Sequence, residues 1–324
     1  MGLLDNIKIG VLGGGVSSER EISLISAQEA YKVFQGKNLN VTFIDIFTQE
    51  ESKVKEMIIK SGIDFAFIAL HGEFGEDGKI QKILDDLGVA YTGSGSLASY
   101  LAMDKIVSKE IFINNGIPTA NFKVYDANIH NEKRLREHLF KNLNYPLVVK
   151  PYFAGSSVGV SIVRQEADLE KALNTALLLQ SKIVLEDYIK GREFTVGILE
   201  EKSLAVVEII TKTEYFDFTT KYSDGLVEFI APAKLENDIY NKIQSTALAA
   251  HKALGCRYFS RVDVRLSENN VPYVLEVNSI PGLTSHSLLP LSAKCCGINF
   301  DELILKMASL ALDGQKYFKE VRTN

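Results

Sequence analysis

The first third of the chain alternates strand-like and helix-like segments. In chain order these are residues 7–12 (strand), 19–34 (helix), 41–46 (strand), 51–61 (helix) and 65–70 (strand). Strands that alternate with helices predict a parallel sheet, whose ligands bind at the carboxyl ends of the strands. Two segments directly follow predicted strands, Gly13 to Gly15 and His71 to Gly78. Within the second, capping of a following helix explains Glu76 and Asp77.

The loop from Gly13 to Gly15 ends a strand and opens a helix, as the fingerprint of NAD-binding enzymes does. However, Ser18 stands at the third glycine of that fingerprint, and Asp45 follows about 30 residues later rather than about 20. An NAD-dependent dehydrogenase is therefore demoted, although it remains the main rival from another reaction class. At the helix N-terminus, Glu19 would either meet a substrate ammonium or only stabilise the helix dipole.

Two polar boundaries divide the rest of the chain, at residues 93–96 and near residues 188–191. Between them we predict, in order, 97–115 (helix, broken near Asp104), 121–124 (strand), 132–141 (helix), 147–150 and 159–163 (strands), 168–179 (helix) and 183–185 (strand). Beyond the second boundary we predict 193–199 and 204–210 (hairpin), 211–232 (irregular), 238–254 (helix), 259–266 and 271–277 (strands) and 300–312 (helix).

Composition indicates a soluble globular enzyme of two or three domains, with 324 residues, 46% of them hydrophobic and 24% charged. The net charge of −5 argues weakly against a nucleic-acid partner. No apolar run approaches the roughly 20 residues that span a bilayer, and no signal peptide is visible. Cys256, Cys295 and Cys296 make neither a disulfide framework nor a zinc pattern, so we expect buried thiols in a reducing cytosol.

The last two strand-like runs are separated by a polar turn at residues 267–270. Strand side chains alternate between faces, so Arg261 and Asp263 share one face of the first run, and Glu276 and Asn278 share one face of the second. Paired as a hairpin, the runs project three oxygen-bearing side chains and an arginine from one sheet face. Such oxygens suit Mg²⁺, which completes its shell with phosphates and water. The alternative is a solvated strand face with a salt bridge.

The segment from Phe153 to Gly159 lies between two predicted strands. Its small residues let successive backbone N–H groups turn toward an anion, although it is not a Walker loop. Taken alone, it is as well explained by an ordinary glycine hairpin as by phosphate binding. Lys150 precedes it and Lys105 lies in an upstream helix. Either lysine would reach a phosphate as a point charge, or is simply solvated on the surface.

Three further segments have both a functional and a structural interpretation. His71 follows a strand directly, where it would be either a site residue or a satisfied structural histidine. The linker from Glu186 to Glu193 suits an adenine and a ribose, or is a plain polar linker. Residues 211–232 form either a lid over a phosphoryl-transfer site, with Lys221 and Tyr222 at its tip, or an ordinary packed loop.

Eight motifs along essentially the whole chain resemble those of one family, the D-alanine:D-alanine ligases of the ATP-grasp enzymes. They are G-G-x-S-x-E-x-x-x-S at Gly14–Ser23, H-G-x-x-G-E-D-G at His71–Gly78, Y-T-G-S-G at Tyr91–Gly95, M-D-K at Met103–Lys105, K-P-x-x-x-G-S-S-V-G at Lys150–Gly159, E-F-T-V at Glu193–Val196, R-x-D at Arg261–Asp263 and E-x-N-x-x-P-G-x-T-x-x-S at Glu276–Ser287. Eight motifs in register make chance agreement implausible.

The resemblance implies an α/β, three-domain ATP-grasp architecture. An N-terminal Rossmann-like parallel sheet, residues 1–95, would bind the first substrate. Two α+β domains would grip ATP, with residues 96–188 as the central subdomain. Residues 189–324 would carry the metal and the second substrate, with a lid at about 211–232.

The resemblance also implies the reaction, in which two D-alanine molecules and ATP give D-alanyl-D-alanine for bacterial peptidoglycan precursors, through a D-alanyl phosphate, with release of ADP and phosphate. ATP would be accompanied by two Mg²⁺ ions, for which Mn²⁺ substitutes. The expected protein is a cytoplasmic homodimer with no nucleic-acid or membrane partner. The lid tyrosine, Tyr222, implies an amine, D-alanine, as second substrate, because relatives that make the D-lactate ester usually lack it. A non-catalytic nucleotide sensor on this fold is the third hypothesis.

Site roles follow from the same resemblance. The expected Mg²⁺ ligands are Asp263, Glu276 and Asn278. The expected ATP-binding residues are Lys105, Lys150, Gly155, Ser156, Ser157, Glu186, Glu193 and Lys221. The residues expected to bind D-alanine or the tetrahedral oxyanion are Glu19, His71, Arg261, Gly282 and Ser287. A hydrogen-bonded network expected to close the lid consists of Glu19, Ser156 and Tyr222. Catalytic roles are expected for Glu19, Ser156, Tyr222, Arg261, Gly282 and Ser287.

Overall fold

Three sheets organise the computed structural model of the chain, which describes residues 3–130, 133–211 and 227–323. The N-terminal elements are β1 (Ile9–Gly14), α1 (Arg20–Gly36), β2 (Val41–Ile46), α2 (Glu51–Ser61), β3 (Phe65–Ile68), α3 (Lys79–Leu87) and β4 (Ala90–Tyr91). The strands pair in parallel in the order β2-β1-β3-β4. The parallel sheet predicted from the alternating segments is therefore confirmed.

The core of this first sheet is completed by the end of the chain. The elements after the last hairpin are α9 (Leu288–Cys295) and α10 (Phe300–Thr323). Leu303, Ile304 and Met307 of α10 are fully buried in one cluster with residues of β1 and β3. Burying apolar side chains of this size contributes about 1.5–3 kcal/mol each, so α10 ties the C-terminal part to the N-terminal sheet.

The second sheet is antiparallel and follows two consecutive helices. Its elements are α4 (Ser96–Met103), α5 (Lys105–Asn114), β5 (Phe122–Asp126), α6 (Lys133–Phe140), β6 (Leu147–Pro151), β7 (Ser161–Val163), a 3₁₀ turn (Glu166–Asp168), α7 (Leu169–Leu177) and β8 (Lys182–Asp187). The strand order is β5-β8-β6-β7. The predicted break near Asp104 is confirmed, because its carboxylate caps α5 by accepting from the N–H groups of Ile106 and Val107.

The third sheet carries the predicted acidic hairpin. Its elements are β9 (Gly191–Leu199), β10 (Lys202–Thr211), β11 (Val227–Ile230), α8 (Asn237–Ala253), β12 (Phe259–Ser267) and β13 (Pro272–Asn278). The strand order is β11-β10-β9-β12-β13. Ala102 and Phe112, from α4 and α5, share its buried apolar cluster with Val262 and Val274. The α/β class with one parallel and two antiparallel sheets matches the expectation.

The structure also corrects several expectations. Residues 227–230 form a strand inside the segment predicted to be irregular, the last helix continues to Thr323 rather than ending near residue 312, and α9 was not predicted. Cys256 is buried, but Cys295 and Cys296 are exposed, so the expectation of three buried thiols was wrong. They lie at the end of α9, where the chain turns at the surface. Within the described ranges, no helix has the length and apolar character needed to cross a membrane.

Candidate active site

The hairpin of β12 and β13 places four predicted site residues on one face. Asp263 lies opposite Glu276, and Arg261 lies opposite Asn278. The register shifts between Asp263 and Val264, where β13 carries one extra residue, Leu275. A β-bulge re-aims side chains. Leu275 and Glu276 accordingly line the same cavity.

Arg261 and Asp263 form a two-point ion pair within one strand. The Arg261 Nε and Nη2 atoms lie 2.9 and 2.8 Å from the two carboxylate oxygens of Asp263. Asn278 Nδ2 donates to the same carboxylate at 3.1 Å, and Thr195 Oγ1 donates to it at 2.6 Å. Burial alone would lower the pKa of the Arg261 guanidinium, but the charge and hydrogen bonds of Asp263, together with the charges of Glu276 and Glu76, raise it. Arg261 is therefore a fixed positive charge.

Lys105 lies between the helical layer and the hairpin. It is the first residue of α5, is only 7% exposed, and its Nζ atom is 3.1 Å from Glu276 Oε2. The same ammonium donates to the carbonyl of Ala154 at 2.6 Å. The structure therefore brings Lys105 to the acidic face and to the start of the glycine-containing loop, and excludes the alternative of a solvated surface lysine.

A buried charge cluster lies in the second sheet around Glu186, which is 4% exposed. Its Oε1 atom is 2.6 Å from Lys150 Nζ, and its Oε2 atom is 2.8 Å from Lys109 Nζ. Burial alone would raise the pKa of this carboxyl, but the two ammonium groups lower it to about 2. Glu186 is therefore ionised at neutral pH, and Lys109 joins the cluster although the sequence analysis did not single it out.

A cavity of about 120 Å³ lies between the second sheet and the hairpin. Lys105, Lys150, Ser157, Glu186, Glu193, Asp263 and Glu276 are among its lining residues. Arg265, which the sequence analysis missed, also lines it and lies 3.0 Å from Glu193 Oε2. Its guanidinium stacks 5.0 Å from the ring centre of Tyr188. Its place on the same strand face as Arg261 and Asp263 was the available signal.

The loop from Phe153 to Gly159 joins this cavity to a second one. Ser156 and Ser157 have φ angles of 51° and 56°, a left-handed geometry that exposes successive N–H groups. Gln180 fixes the start of the loop, because its side chain accepts from the Phe153 N–H at 2.8 Å and donates to the Phe153 carbonyl at 2.5 Å. Ser156 Oγ donates to Glu19 Oε1. Because Glu19 directly precedes α1, this hydrogen bond connects the loop to the N-terminus of that helix.

The second cavity, of about 350 Å³, lies where the N-terminal sheet meets the hairpin. The predicted site residues among those that line it are Glu19, His71, Gly155, Ser156, Arg261, Asn278, Gly282 and Ser287. His71 is buried, with Nε2 2.8 Å from Ser26 Oγ and Nδ1 3.1 Å from the Ile280 carbonyl. Both ring nitrogens thus have fixed partners, which orient the imidazole at the cavity wall.

Glu76 belongs to this cavity and not only to a helix cap. Its Oε1 atom is 3.7 Å from His71 Nδ1. Burial is the main cause that raises the pKa of the Glu76 carboxyl. The start of α3 is held instead by Asp77, which accepts from the N–H groups of Phe74 and Lys79. Explaining both acids by capping was therefore wrong for Glu76. Its position within the His71–Gly78 motif was the sequence signal that it belongs to the site.

The loop after β13 forms the far wall of the second cavity. Ser287 Oγ accepts from the Thr284 N–H at 3.1 Å. A Cβ added at Gly282 would lie 3.0 Å from that hydroxyl oxygen, so glycine allows the backbone to approach Ser287 closely. Glu29 of α1 accepts from the Ser285 N–H at 2.7 Å. Helix α1 therefore holds this loop from the opposite side.

Both cavities lie over the same face of the β12–β13 hairpin. Arg265, Asp263 and Glu276 face the smaller cavity, whereas Arg261 and Asn278 face the larger one. The site is thus elongated, with a smaller compartment lined by the ammonium groups of Lys105 and Lys150 and a larger one lined by polar groups of the N-terminal part and the hairpin. Lys221 and Tyr222, the predicted tip of the lid, lie outside the described residues.

The donor set fits a magnesium ion better than a transition metal. Across residues 3–130, 133–211 and 227–323, no three His, Cys, Asp or Glu side chains converge as a metal-binding group. Asp263, Glu276 and Asn278 offer two carboxylates and an amide on adjacent strands. Mg²⁺ prefers hard oxygen ligands and usually takes only a few from the protein, with phosphates and water completing its shell. The three oxygen-bearing side chains therefore suit a Mg²⁺ ion that also binds phosphate oxygens.

The dinucleotide alternative finds little support in the glycine loop. A Cβ at Gly13 would clash with Ala27 of α1, and a Cβ at Gly14 would clash with the Asp45 carboxylate. Asp45 is paired with Arg20 Nη2 at 2.8 Å. These glycines are required by helix–strand packing and by that ion pair, and Asp45 is engaged rather than positioned for a ribose.

Comparison with known proteins gives a consistent result. Models of the D-ala D-ala ligase N-terminus and C-terminus match residues 47–94 and 111–309. The chain is 42% identical over 304 residues to D-alanine–D-alanine ligase of Geotalea uraniireducens, covering 94% of this chain and 95% of the relative. It is likewise 42% identical over 299 residues to that of Clostridium beijerinckii, covering 92% and 96% of the two chains.

Solved structures agree with the sequence relatives. D-alanine–D-alanine ligase from Bacillus anthracis complexed with ATP is 36% identical, with a TM-score of 0.82 that covers 96% of this chain and 99% of that one. VanG D-Ala:D-Ser ligase from Enterococcus faecalis is 29% identical with a TM-score of 0.82, covering 95% of this chain and 100% of that one.

Proposed function

This chain belongs to the D-alanine–D-alanine ligase family, and from this we propose that it forms D-alanyl-D-alanine from two D-alanine molecules and ATP. The observation that carries the proposal is the pair of cavities over one face of the β12–β13 hairpin, with the carboxylates of Asp263 and Glu276 and the amide of Asn278 along it. A carboxylate oxygen of the first D-alanine attacks the γ-phosphorus, and ADP leaves. The amine of the second attacks the resulting acyl phosphate, with loss of a proton and of phosphate.

The smaller cavity binds ATP in this proposal. Lys105, Lys150 and the backbone of the Gly155–Ser157 loop hold phosphates, since they place positive charge and N–H groups along one wall. Glu186 and the backbone after it contact adenine, and Glu193 contacts the ribose. Support comes from the shared lining of one cavity by Lys150, Ser157, Glu186 and Glu193.

Asp263, Glu276 and Asn278 would hold two Mg²⁺ ions, for which Mn²⁺ substitutes. Bound magnesium neutralises the charge that develops on the transferring phosphoryl group. Arg261 and Lys105 already balance the carboxylates of Asp263 and Glu276. The protein groups therefore keep the acidic face fixed and oriented toward the nucleotide cavity.

The larger cavity binds the two amino acids. Glu19 accepts from the first ammonium group, and His71 orients that molecule. Arg261 and the N–H of Gly282 donate to the oxyanion of the tetrahedral intermediate, where prearranged donors lower the barrier most. Ser287 binds the second carboxylate. Their common place among the residues that line one cavity supports this assignment.

The lid and the choice of second substrate rest on residues 212–226, beyond the described ranges. Lys221 and Tyr222 would cover the site, with Tyr222 joining Glu19 and Ser156 in a closing network. Only the Glu19–Ser156 part of that network lies among described residues. Tyr222 supports an amine, D-alanine, rather than D-lactate as second substrate. By analogy with the family, the protein would act as a cytoplasmic homodimer in peptidoglycan precursor synthesis, and the domain boundaries near residues 95 and 188 belong to the same proposal.

Phosphate release by the purified protein tests the function. We expect release from ATP that requires both D-alanine and Mg²⁺, with D-alanyl-D-alanine as product. Offered D-alanine, D-serine and D-lactate together near neutral pH, the protein should form mainly the D-alanine dipeptide. Predominant ester would overturn the choice of second substrate, and folded protein without D-alanine-dependent release would overturn the ligase. Titration with NADH, followed by its fluorescence, should show no saturable binding, in contrast to the dehydrogenase alternative.

A further inference from the structure

Lys109 is a fully buried cation that no proposed step of the reaction uses. It lies in the middle of α5, and its residue is 1% exposed. Buried lysines are rare unless paired, and burial lowers the pKa of this ammonium. A lysine kept inside the protein at this cost has a partner that requires it.

Three oxygen atoms of the protein surround the Lys109 ammonium, one of them in an ion pair and two as hydrogen-bond acceptors. Its Nζ atom lies 2.8 Å from Glu186 Oε2, 2.8 Å from Thr119 Oγ1 and 3.1 Å from the Ala120 carbonyl. An ammonium group has three N–H donors and no acceptor. The contacts of Lys109 are thus with protein groups, and it is not among the residues that line the nucleotide cavity.

The contacts of Lys109 also link Glu186 to β13, the strand that carries the expected Mg²⁺ ligands Glu276 and Asn278. Thr119 Oγ1 donates to the Val274 carbonyl at 2.9 Å, and the Val274 N–H donates to the Pro118 carbonyl at 2.8 Å. Val274 lies on β13, two residues before Glu276. The Lys109 ammonium thus fixes Glu186, which lines the nucleotide cavity, relative to β13, which carries Glu276 of the same cavity.

Lys150 and Lys109 hold Glu186 from opposite oxygens, but they differ in their surroundings. Lys150 lines the nucleotide cavity, next to the loop that is proposed to hold phosphates. When Lys150 turns toward a phosphate, Lys109 is the cation that remains on the carboxylate. A carboxylate without a cation in this interior would become protonated and would then lose part of its capacity to accept hydrogen bonds.

We propose that Lys109 is a positioning residue for purine recognition: it fixes the Glu186 carboxylate as an acceptor for the exocyclic amino group of adenine, which leaves Lys150 to serve phosphate. This inference rests on the proposed nucleotide site. A 6-oxo purine offers an acceptor where adenine offers a donor, so the fixed carboxylate rejects it. Sites built to accept a hydrogen bond discriminate strongly against analogues that cannot donate it.

The test is the Lys109→Met variant of the full chain, assayed with ATP and with inosine triphosphate. We expect KM for ATP to rise on the order of tenfold, in line with the loss of a hydrogen bond to a charged group. The preference for ATP over inosine triphosphate should shrink by a similar factor, while KM for D-alanine stays unchanged. Lys82→Met is the matched control, because Lys82 is an exposed lysine that is also paired with a carboxylate, Asp86.

Three outcomes are distinguishable. If the wild type shows no D-alanine-dependent turnover of ATP, the proposed function fails. If Lys109→Met only lowers the melting temperature and keeps the wild-type preference for ATP, Lys109 is a structural ion-pair partner and the inference is overturned. If that variant does not fold, Thr119→Val takes its place, since it removes one partner of the ammonium while keeping the side-chain volume. A KM for ATP and a purine preference equal to those of the wild type would then overturn the inference.

Discussion

Arg261 and Asp263 lie two residues apart on β12 and are joined by two N–H···O bonds of 2.9 and 2.8 Å. This two-point contact fixes the guanidinium plane at the junction of the two cavities. The geometry requires the planar, five-donor arginine head and not merely a positive charge. A lysine at this position would preserve the charge but not the direction of the donors.

We therefore expect Arg261→Lys to lower kcat by about 10²–10³, the usual cost of losing one oxyanion donor. KM for ATP should change little, because Arg261 lines the larger cavity. Steady-state phosphate release with ATP and D-alanine varied separately measures both constants. Equal kcat values for the variant and the wild type would show that charge alone suffices and would remove Arg261 from the oxyanion site.

The hydrogen bond from Ser156 to Glu19 connects the phosphate loop to the N-terminal part of the site. Ser156→Ala should lower kcat and raise KM for D-alanine, with a combined fall in kcat/KM of about 10- to 150-fold, the equivalent of about 1.5–3 kcal/mol for a hydrogen bond to a charged group. The melting temperature should stay close to that of the wild type, since the contact lies in a loop. Ser245→Ala, at an exposed position of α8, is the control. Unchanged kinetics in Ser156→Ala would separate this contact from catalysis.

The part of the site that could be predicted depends on two regular patterns: the alternation of side chains along a strand, and the alternation of strands and helices along the chain. Alternation along β12 and β13 placed Asp263, Glu276 and Asn278 together, and the alternating strands and helices predicted the parallel sheet. The bulge at Leu275 was not predictable, because it depends on how β13 pairs with its neighbour and not on side-chain alternation. Val274 and Leu275, the two apolar residues just before Glu276, interrupt the alternation of apolar and polar side chains. Strands that are buried on both faces also contain consecutive apolar residues, so this pair did not identify a bulge.

The burial of three lysines in the folded chain could not be predicted from local sequence patterns either. Lys105, Lys109 and Lys150 look like solvated lysines along the chain, yet each is at most 7% exposed. Their burial results from carboxylates that arrive from other elements, Glu276 on β13 and Glu186 on β8. Long-range ion pairing of this kind leaves no local periodic signal. The family resemblance identified two of these lysines, whereas Lys109 emerged only from the contacts.

Removing a metal-ligand charge gives a further prediction at the acidic face. Glu276→Gln should strongly lower turnover while ATP still binds weakly, because Lys105 and Lys150 keep their places in the nucleotide cavity. The concentration of Mg²⁺ needed for half-maximal rate should rise as well, since a neutral amide is a poorer ligand than a carboxylate. Magnesium titrations of phosphate release, with ADP binding by calorimetry in parallel, measure these effects. A wild-type rate and magnesium dependence would exclude Glu276 from the metal site.

His251 makes the stability of the protein depend on pH outside the active site. It is fully buried on α8, with Nδ1 2.7 Å from Ser260 Oγ on β12. Burial, opposed in part by the Glu201 charge, lowers its pKa from 6.5 to about 4. Below pH 6.5 the unfolded chain therefore binds a proton that the folded chain binds only near pH 4. The stabilisation from a neutral His251, up to about 3 kcal/mol, is present above pH 6.5 and is lost as the pH falls towards 4.

His251→Gln should be less stable than the wild type at pH 7.5, because glutamine fills the buried site poorly. Its unfolding free energy should also fall less steeply between pH 6.5 and 4.5, so the two curves converge as the pH decreases. Urea unfolding at several pH values in this range measures both slopes. His138→Gln, which changes an exposed histidine, should keep the wild-type slope. Parallel curves for the wild type and His251→Gln would show that His251 titrates alike in the folded and unfolded chains.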